Sequence, residues 1–255
     1  MPVNINKKGR VAVLTMEQAD QAGLLDAALA YGLVRRCQQI AEDPEVLAAV
    51  LTGAGDRFCL GEADEVDAEE GAFVGGPQGP ALEAVNALVS LTVPIIAAIN
   101  GPAGGAGAEL ALACDIRLAG ERASFQFPQL AEGTLPRAGG TQRLPRIVGR
   151  AHALELLLLG DRIDAQEAWR MGLVGKVVPQ ERLLLEAEAL AERLAQKAPV
   201  AMRYLREAIH KGMDVTLDQG LRLEADLYFL LQTTADRMEG IRSFLEKRTP
   251  TFRGE

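Results

Sequence analysis

The sequence predicts an α/β protein in which a parallel sheet carries helices on its faces, followed by a region made of helices. The first observation is a strand-helix-strand order near the start, with strands at residues 10–16 and 46–52 and helical apolar spacing at 25–41. This order favours parallel strands joined by a crossover helix. The second is that only helical patterns are visible after residue 180. We therefore expect an α/β body at 1–195 and a helical region at 196–255.

The remaining elements follow from apolar patterns and the residues that interrupt them. The Asp43-Pro44 pair should end the first helix, since the residue before a proline disfavours helical geometry. Further strands are expected at 94–99, 115–119, 123–127 and 176–178, and helices at 81–91, 150–159 and 165–171, with a helix start near 139–141. The late helices should break near Pro199, Gly212 and Thr233. Between the strand at 46–52 and the helix at 81–91, an acidic, glycine-rich stretch beginning at Glu62 predicts a mobile surface loop with solvated charges.

Composition excludes several functional classes. The 255 residues carry a net charge of −8 without a basic stripe, which argues against nucleic-acid binding. No apolar run approaches the ~20 residues of a membrane span, and the N-terminus lacks a secretory apolar core. Three widely spaced cysteines favour reduced thiols and a cytoplasmic location. The two histidines have no ligand-like neighbours, so no metal site is expected, and no serine-hydrolase elbow occurs.

Residues 93–115 hold the densest chemical signal. A buried strand is predicted to end in a turn, followed by Gly104, Gly105 and Gly107 and then by a helix that contains Glu109. Glycines allow close backbone approach, and the N–H groups at a helix start attract negative charge. Anion-stabilising N–H groups beside a carboxylate suit enolate chemistry. The alternative is a tightly packed turn with an ordinary first-turn acid. A dinucleotide fingerprint is excluded, because Leu110 occupies its third glycine position.

Along nearly its whole length, the chain resembles the crotonase, or enoyl-CoA hydratase/isomerase, superfamily. Five ordered blocks carry the resemblance: VLTGAGDRFCLG (50–61), PIIAAINGPAGGAGAELALACDIRLA (94–119), GTLPRAGGTQRL (133–144), GDRIDAQEAWRMGLVGKVV (160–178) and EGIRSFLEKRTPTF (239–252). The resemblance implies a spiral of ββα repeats with a C-terminal helical trimerisation region. It also implies acyl-CoA thioester substrates, no separate cofactor, and self-association as trimers or hexamers.

The resemblance also implies a set of site residues. The backbone N–H groups of Glu62 and Ala106 match the oxyanion-hole donors, and Glu109 matches the first of two catalytic glutamates. Residues beside these donors are expected to line the substrate, namely Gly61, Ala63, Gly105 and Gly107. Phe244 and Lys247 resemble positions that line coenzyme A from a neighbouring subunit; the alternative is a core aromatic and a solvated lysine.

Gln129 occupies the position that matches the second catalytic glutamate. This difference matters because the side chain is an amide and not a carboxylate. An amide donates or accepts hydrogen bonds but exchanges no proton near neutral pH. Either Gln129 belongs to a native mechanism or it is a substitution that disables a two-glutamate enzyme. Glu132 could supply the missing carboxylate and is kept as a substrate-binding candidate; the alternative is a lone surface acid.

We therefore predict an enzyme that adds water to an enoyl- or dienoyl-CoA, with Glu109 as acid and base and Gln129 holding the water. Double-bond isomerisation ranks second, because it needs one group that moves a proton. A decarboxylation of a malonyl-type thioester needs still less acid–base help. A non-catalytic acyl-CoA binder remains the alternative of another class.

Overall fold

A computed structural model of the protein describes residues 2–17, 23–63 and 79–255. Its main sheet has six strands in the order β1-β2-β4-β6-β8-β11, with β1 antiparallel to β2 and the other neighbours parallel. The strands of the described chain are β1 Val3–Lys8, β2 Val11–Met16, β3 Leu24–Leu25, β4 Ala48–Gly53, β5 Gly61–Glu62, β6 Ile95–Ile99, β7 Pro102–Gly104, β8 Ile116–Gly120, β9 Ser124–Gln126, β10 Ile163–Asp164 and β11 Lys176–Val178.

The helices alternate with these strands up to β11 and then follow one another to the C-terminus. They are α1 Ala27–Glu42, α2 Pro80–Ser90, α3 Ala106–Ala113, α4 Gly140–Leu159, α5 Ala165–Arg170, α6 Leu183–Ala195, α7 Pro199–Gly212, α8 Leu217–Leu231 and α9 Ala235–Leu245. Inside α4, Gly149 has a φ of +80°, which kinks the helix and separates the predicted segment 150–159 from the predicted start near Gly140.

The central parallel strands of the main sheet are buried on both faces, as parallel sheets usually are. Every residue of β4 and β6 is buried, so these strands are nearly continuous apolar runs rather than alternating ones. One face packs against the α1, α2 and α3 side, where the larger apolar core lies. The other face is covered by the apolar stripe of α6, which consists of Leu183, Ala187, Ala191 and Ala195.

Two small sheets lie beside the main one and bring the start of α3 close to the strand that contains Glu62. Strands β10, β9 and β7 form one of them, and β3 pairs with β5 in parallel to form the other. An isolated parallel bridge between Cys59 and Ala103 joins the segment before β5 to β7. The start of α3 is thereby held against the strand that contains Glu62.

Most of the predicted elements are confirmed, including every helix break after residue 180. The strand β1 was not predicted. Its sequence VNINKK places asparagine and lysine among its apolar residues, and only Val3 is buried, so its apolar signal is weak. The very short strands β3, β5, β7 and β10 also escaped prediction, because two or three residues hold no periodicity. The predicted acidic loop beyond Ala63 lies largely outside the described residues.

The C-terminal helices differ from the body in their burial. Helix α7 has no buried residue, and α8 has one, Leu227. Asp115, just before β8, anchors α7 to the body by accepting hydrogen bonds from Arg206 Nε at 3.0 Å and His210 Nε2 at 3.1 Å. The division at residue 195 remains a prediction. No helix in the described chain combines the length and apolar character needed to span a membrane.

Candidate active site

The glycine turn before α3 packs against the backbone of residues 59–61. A Cβ on Gly104 would lie 2.4 Å from the Leu60 carbonyl oxygen, and one on Gly107 would lie 2.0 Å from the Cys59 carbonyl oxygen. Neither position therefore tolerates a side chain. Gly105 has a φ of +47°, in the left-handed region that favours glycine. These glycines let α3 begin in direct contact with β5.

The two predicted oxyanion-hole donors lie on these adjoining segments. Ala106 is the first residue of α3, so its N–H has no partner inside the helix. Glu62 ends β5, and a Cβ on Gly105 would be 3.6 Å from the Cα of neighbouring Gly61. Ala63 follows and donates its N–H to the Leu25 carbonyl oxygen at 2.9 Å. The donor assignment itself remains a prediction.

Glu109 lies in the first turn of α3 with a side chain that the fold holds by one oxygen. The residue is 2 % exposed, and its Oε1 accepts the N–H groups of Ala138 at 2.8 Å and Gly140 at 2.7 Å. Among the described residues, Oε2 makes no hydrogen bond, which leaves it for a reacting group. A Cβ on Gly140 would lie 3.0 Å from Oε1, so glycine is needed for this contact.

Burial raises the pKa of Glu109 above its ordinary value, although the two N–H groups from Gly140 and Ala138 act in the opposite direction. The charge of Glu62 raises the pKa further, and the charge of Arg143 lowers it. A carboxyl whose pKa moves toward neutrality is a better match for proton transfer at physiological pH. The environment of Glu109 therefore has the electrostatic character of an acid–base site.

Arg143 is a contributor to the site that the sequence did not reveal. It lies one turn into α4, and its Nη1 donates to the Ala138 carbonyl oxygen at 2.8 Å. This contact supports the segment that binds Glu109. Burial lowers the pKa of Arg143, and the nearby carboxylate of Glu109 opposes that shift. The adjacent pair Gly139-Gly140 was the available signal, since paired glycines mark a close backbone approach.

Gln129 lies beside the glycine turn, in a 3₁₀ turn spanning Pro128–Leu130. Its Nε2 is 3.5 Å from where a Cβ of Gly105 would stand. Its Oε1 is buried and has no hydrogen-bond partner, which is costly for an amide oxygen unless a ligand supplies a donor. Glu132, three residues later, has an exposed side chain, which favours its alternative as a surface acid.

The prediction that Glu62 is a solvated acid was wrong. Its side chain is 10 % exposed, and Oε2 accepts from Arg137 at 2.9 Å (Nε) and 2.8 Å (Nη2). Its Oε1 accepts the N–H of Ala81 at 3.0 Å. Since Arg137 is 75 residues away in sequence, no local charge pattern could have indicated this pair.

The two predicted coenzyme-A residues lie at the end of α9. Phe244 is 82 % exposed, so its alternative as a core aromatic is wrong. Lys247 is exposed and has a φ of +52°, unusual for a residue other than glycine. Neither takes part in the hydrogen bonds around Glu109. In the part of the chain that the structure describes, no three histidine, cysteine or carboxylate side chains are grouped to hold a metal ion.

Comparison with known proteins assigns the chain to a family. The model of the enoyl-CoA hydratase/isomerase family matches residues 6–255, so the chain belongs to that family. The 2,3-dehydroadipyl-CoA hydratase of Escherichia coli is 39% identical over 251 residues, covering 98% of each chain. The mitochondrial enoyl-CoA hydratase of Pongo abelii is 39% identical over 253 residues, covering 98% of this chain and 87% of the relative.

Solved structures agree with the sequence comparison. The crystal structure of an enoyl-CoA hydratase from Bacillus anthracis superposes with a TM-score of 0.92 at 39% identity, covering 100% of both chains. The predicted fold class, a crotonase-type α/β spiral of ββα repeats followed by C-terminal helices, is therefore confirmed.

Proposed function

We propose that this protein adds water across the double bond of an enoyl- or dienoyl-CoA thioester. The observation that carries the proposal is the placement of the buried Glu109 carboxylate on the same short helix whose first N–H, that of Ala106, points out of the helix start. Relatives named as hydratases of enoyl-CoA thioesters, at 36–39% identity over nearly the full chain, support the reaction type.

The chemistry follows from these groups. Ionised Glu109 takes a proton from water through Oε2 while the oxygen of that water bonds to the β-carbon. The electron pair of the double bond moves toward the thioester oxygen, where the N–H groups of Glu62 and Ala106 stabilise the enolate. Each such donor can lower the barrier by ~3 kcal/mol in a dry site. Glu109 then returns the proton to the α-carbon, which completes the addition of H and OH.

Gln129 orients the water in this proposal and moves no proton. Its buried Oε1 lacks a donor, and a water hydrogen would satisfy it. Because the amide of Gln129 stays neutral, the charges around Glu109 do not change at that position during proton transfer. This is the native interpretation of Gln129.

The test is the hydration of crotonyl-CoA and of a cyclic dienoyl-CoA, followed by loss of the conjugated thioester absorbance. Replacing Glu109 by Gln should lower kcat by ~10²–10⁴-fold or more, as for the loss of a positioned acid–base group. Glu121→Gln, at an exposed site, is the matched control and should leave the rate unchanged. Equal rates for the wild type and Glu109→Gln would reject the proposal, and turnover that Glu109→Gln removes would exclude a non-catalytic binder. Loss of activity in Glu132→Gln would instead assign the second carboxylate to Glu132.

Double-bond isomerisation is the second candidate, favoured by the amide at position 129. One base that removes a proton and returns it elsewhere suffices for that reaction, and Glu109 can do both. Conversion of a 3-enoyl-CoA to its conjugated isomer, measured as a gain of the same absorbance, separates the two reactions. A ratio of kcat/KM that favours the 3-enoyl substrate would place isomerisation first.

We also propose that the chain binds its thioester as a trimer or hexamer, with Phe244 and Lys247 of one subunit lining coenzyme A bound to the next. The exposure of Phe244 and the lack of buried residues in α7 support this. A non-reactive acyl-CoA should raise Tm, because a ligand that binds only the native state stabilises it.

The three free and buried cysteines fit the predicted cytoplasmic location.

A further inference from the structure

The carboxylate of Glu62 joins three separate segments of the chain. Its Oε2 accepts two N–H groups of Arg137, and its Oε1 accepts the N–H of Ala81 in the first turn of α2. Gly79, the residue that caps α2, offers no side-chain hydrogen bond, so Glu62 supplies the missing acceptor from outside the helix. An acid also suits the positive end of the helix dipole.

Each of these segments has a part in the site. The backbone N–H of Glu62 is the proposed oxyanion donor at the end of β5. Arg137 directly precedes Ala138, whose N–H holds Glu109 Oε1 at 2.8 Å. One side-chain pair therefore spans the distance between the oxyanion donor and the segment that fixes the base.

We propose that the Glu62–Arg137 ion pair is a positioning device. It holds β5, with its oxyanion donor, against the segment 137–140 that binds Glu109, and it neutralises the charge of Glu62 beside the base. Both residues act through other groups and neither side chain needs to touch the substrate. The inference rests on the proposed function, since the base and the donor that it positions are those of the proposed hydration.

The geometry differs from that of an ordinary surface ion pair. Exposed pairs contribute little because water screens them and both side chains lose entropy. Here Glu62 is 10 % and Arg137 32 % exposed, and the carboxylate receives donors on both oxygens. A partner removed from so enclosed a pair leaves an uncompensated charge near the reacting centre.

Within residues 2–17, 23–63 and 79–255, the charged groups that face Glu109 come from two elements. Glu62 faces it from β5 and Arg143 from α4, while the N–H groups of Ala138 and Gly140 contact its Oε1. Cys59, whose carbonyl packs on Gly107, is a neutral thiol near pH 7, since burial raises its pKa to about 11.

This arrangement predicts opposite effects for the two partners. Glu62→Gln removes a negative charge and leaves Arg137 unpaired, so the pKa of Glu109 should fall. Arg137→Gln leaves the charge of Glu62 without its partner, so the pKa of Glu109 should rise. If the contact were purely structural, the two substitutions would move the pKa of Glu109 in the same direction or leave it unchanged.

The experiment measures the acid limb of the kcat/KM profile for both variants and, independently of activity, the ¹³C chemical shift of the Glu109 carboxyl as pH changes. Glu109→Gln identifies that NMR signal by its absence. Both variants should also lose between about tenfold and 10²-fold in kcat with little change in KM, as expected when reacting groups shift by about 1 Å. Arg137→Lys, which keeps the charge, should restore the position of the limb and only part of kcat.

Matched controls come from Glu186 on α6, which pairs with Lys176 of β11 and with Arg182 just before α6. Glu186→Gln and Arg182→Gln change the net charge equally and should shift neither limb. Shifts of the same sign in Glu62→Gln and Arg137→Gln, or no shift in folded variants, would overturn the proposal. A wild type without any enoyl-CoA turnover would contradict the proposed function, whereas the NMR titration would still decide the role of the pair.

Discussion

Helices α3 and α7 represent two ways in which this chain uses a helix. All eight residues of α3 are buried, including the carboxylate of Glu109, whereas none of the fourteen residues of α7 is buried. Packing within the chain therefore dictates the position of α3 to within a methyl group. Helix α7 is amphipathic yet turns apolar residues to solvent, which suits a helix completed by another subunit. The site and the proposed assembly surface thus depend on different kinds of contact.

The largest effect that we expect is on the free energy of unfolding, when one methyl group is added to each of the two helices. In Gly107→Ala, the new Cβ would lie 2.0 Å from the Cys59 carbonyl oxygen, and that backbone cannot move freely. We expect a loss of more than about 3 kcal/mol in the free energy of unfolding, or no folded protein. Gly212→Ala, at the end of α7, meets no atom within 4 Å and should gain about 0.5–1 kcal/mol.

Urea unfolding of both variants measures these two free energies. A Gly107→Ala protein as stable as the wild type would contradict the tight packing of α3 against residues 59–61.

A charge on the open face of α7 should disrupt assembly and leave the chain folded. Leu205 and Ile209 are 63 % and 58 % exposed, so Leu205→Glu with Ile209→Glu disturbs little within one chain. Sedimentation should show a monomer where the wild type forms trimers or hexamers. Tyr31→Glu, at a similarly exposed apolar site on α1, is the control and should not change the mass. A wild type that sediments as a monomer at micromolar concentration would contradict the assembly proposal.

The stability of α3 should depend on the charge of Glu109. Burial, partly offset by the N–H groups of Gly140 and Ala138, raises its folded-state pKa above the ordinary 4.5. A raised pKa means that the folded state holds the proton more tightly. The stabilising contribution is therefore full below the unfolded pKa and is lost as pH rises through the folded one.

Glu109→Gln should thus have a higher Tm than the wild type at pH 7, and this difference should shrink as the pH approaches 4.5. Calorimetry at both values checks it. A variant with a lower Tm at pH 7 would show that the two N–H groups outweigh burial.

The sequence predicted the parts of the fold that have a period and the parts of the site that lie close together in the chain. The buried strand at 95–99, the glycine turn and Glu109 lie within fifteen residues, so one stretch contains their relation. The neighbours of Glu109 at Ala138, Gly140 and Arg143 come from about thirty residues away, and only the fold brings them together.

Charge patterning misled at Glu62 for the same reason. The local run of acids is real, but its first member pairs with an arginine from a distant loop. A residue's own neighbours in sequence therefore indicate the presence of charge and not its partner. The lack of a hydrogen-bond donor for Gln129 Oε1 likewise depends on the atoms that the fold places around it, so the sequence could not indicate it.

The most direct test of the central claim, that Glu109 alone transfers protons while Gln129 orients water, is the crotonyl-CoA hydration rate of Gln129→Glu. A second carboxylate near Glu109 would raise the pKa of one member of the pair and disturb its proton transfer. We predict a rate equal to or below that of the wild type. A gain of orders of magnitude would contradict this account and would show a two-glutamate hydratase disabled at position 129.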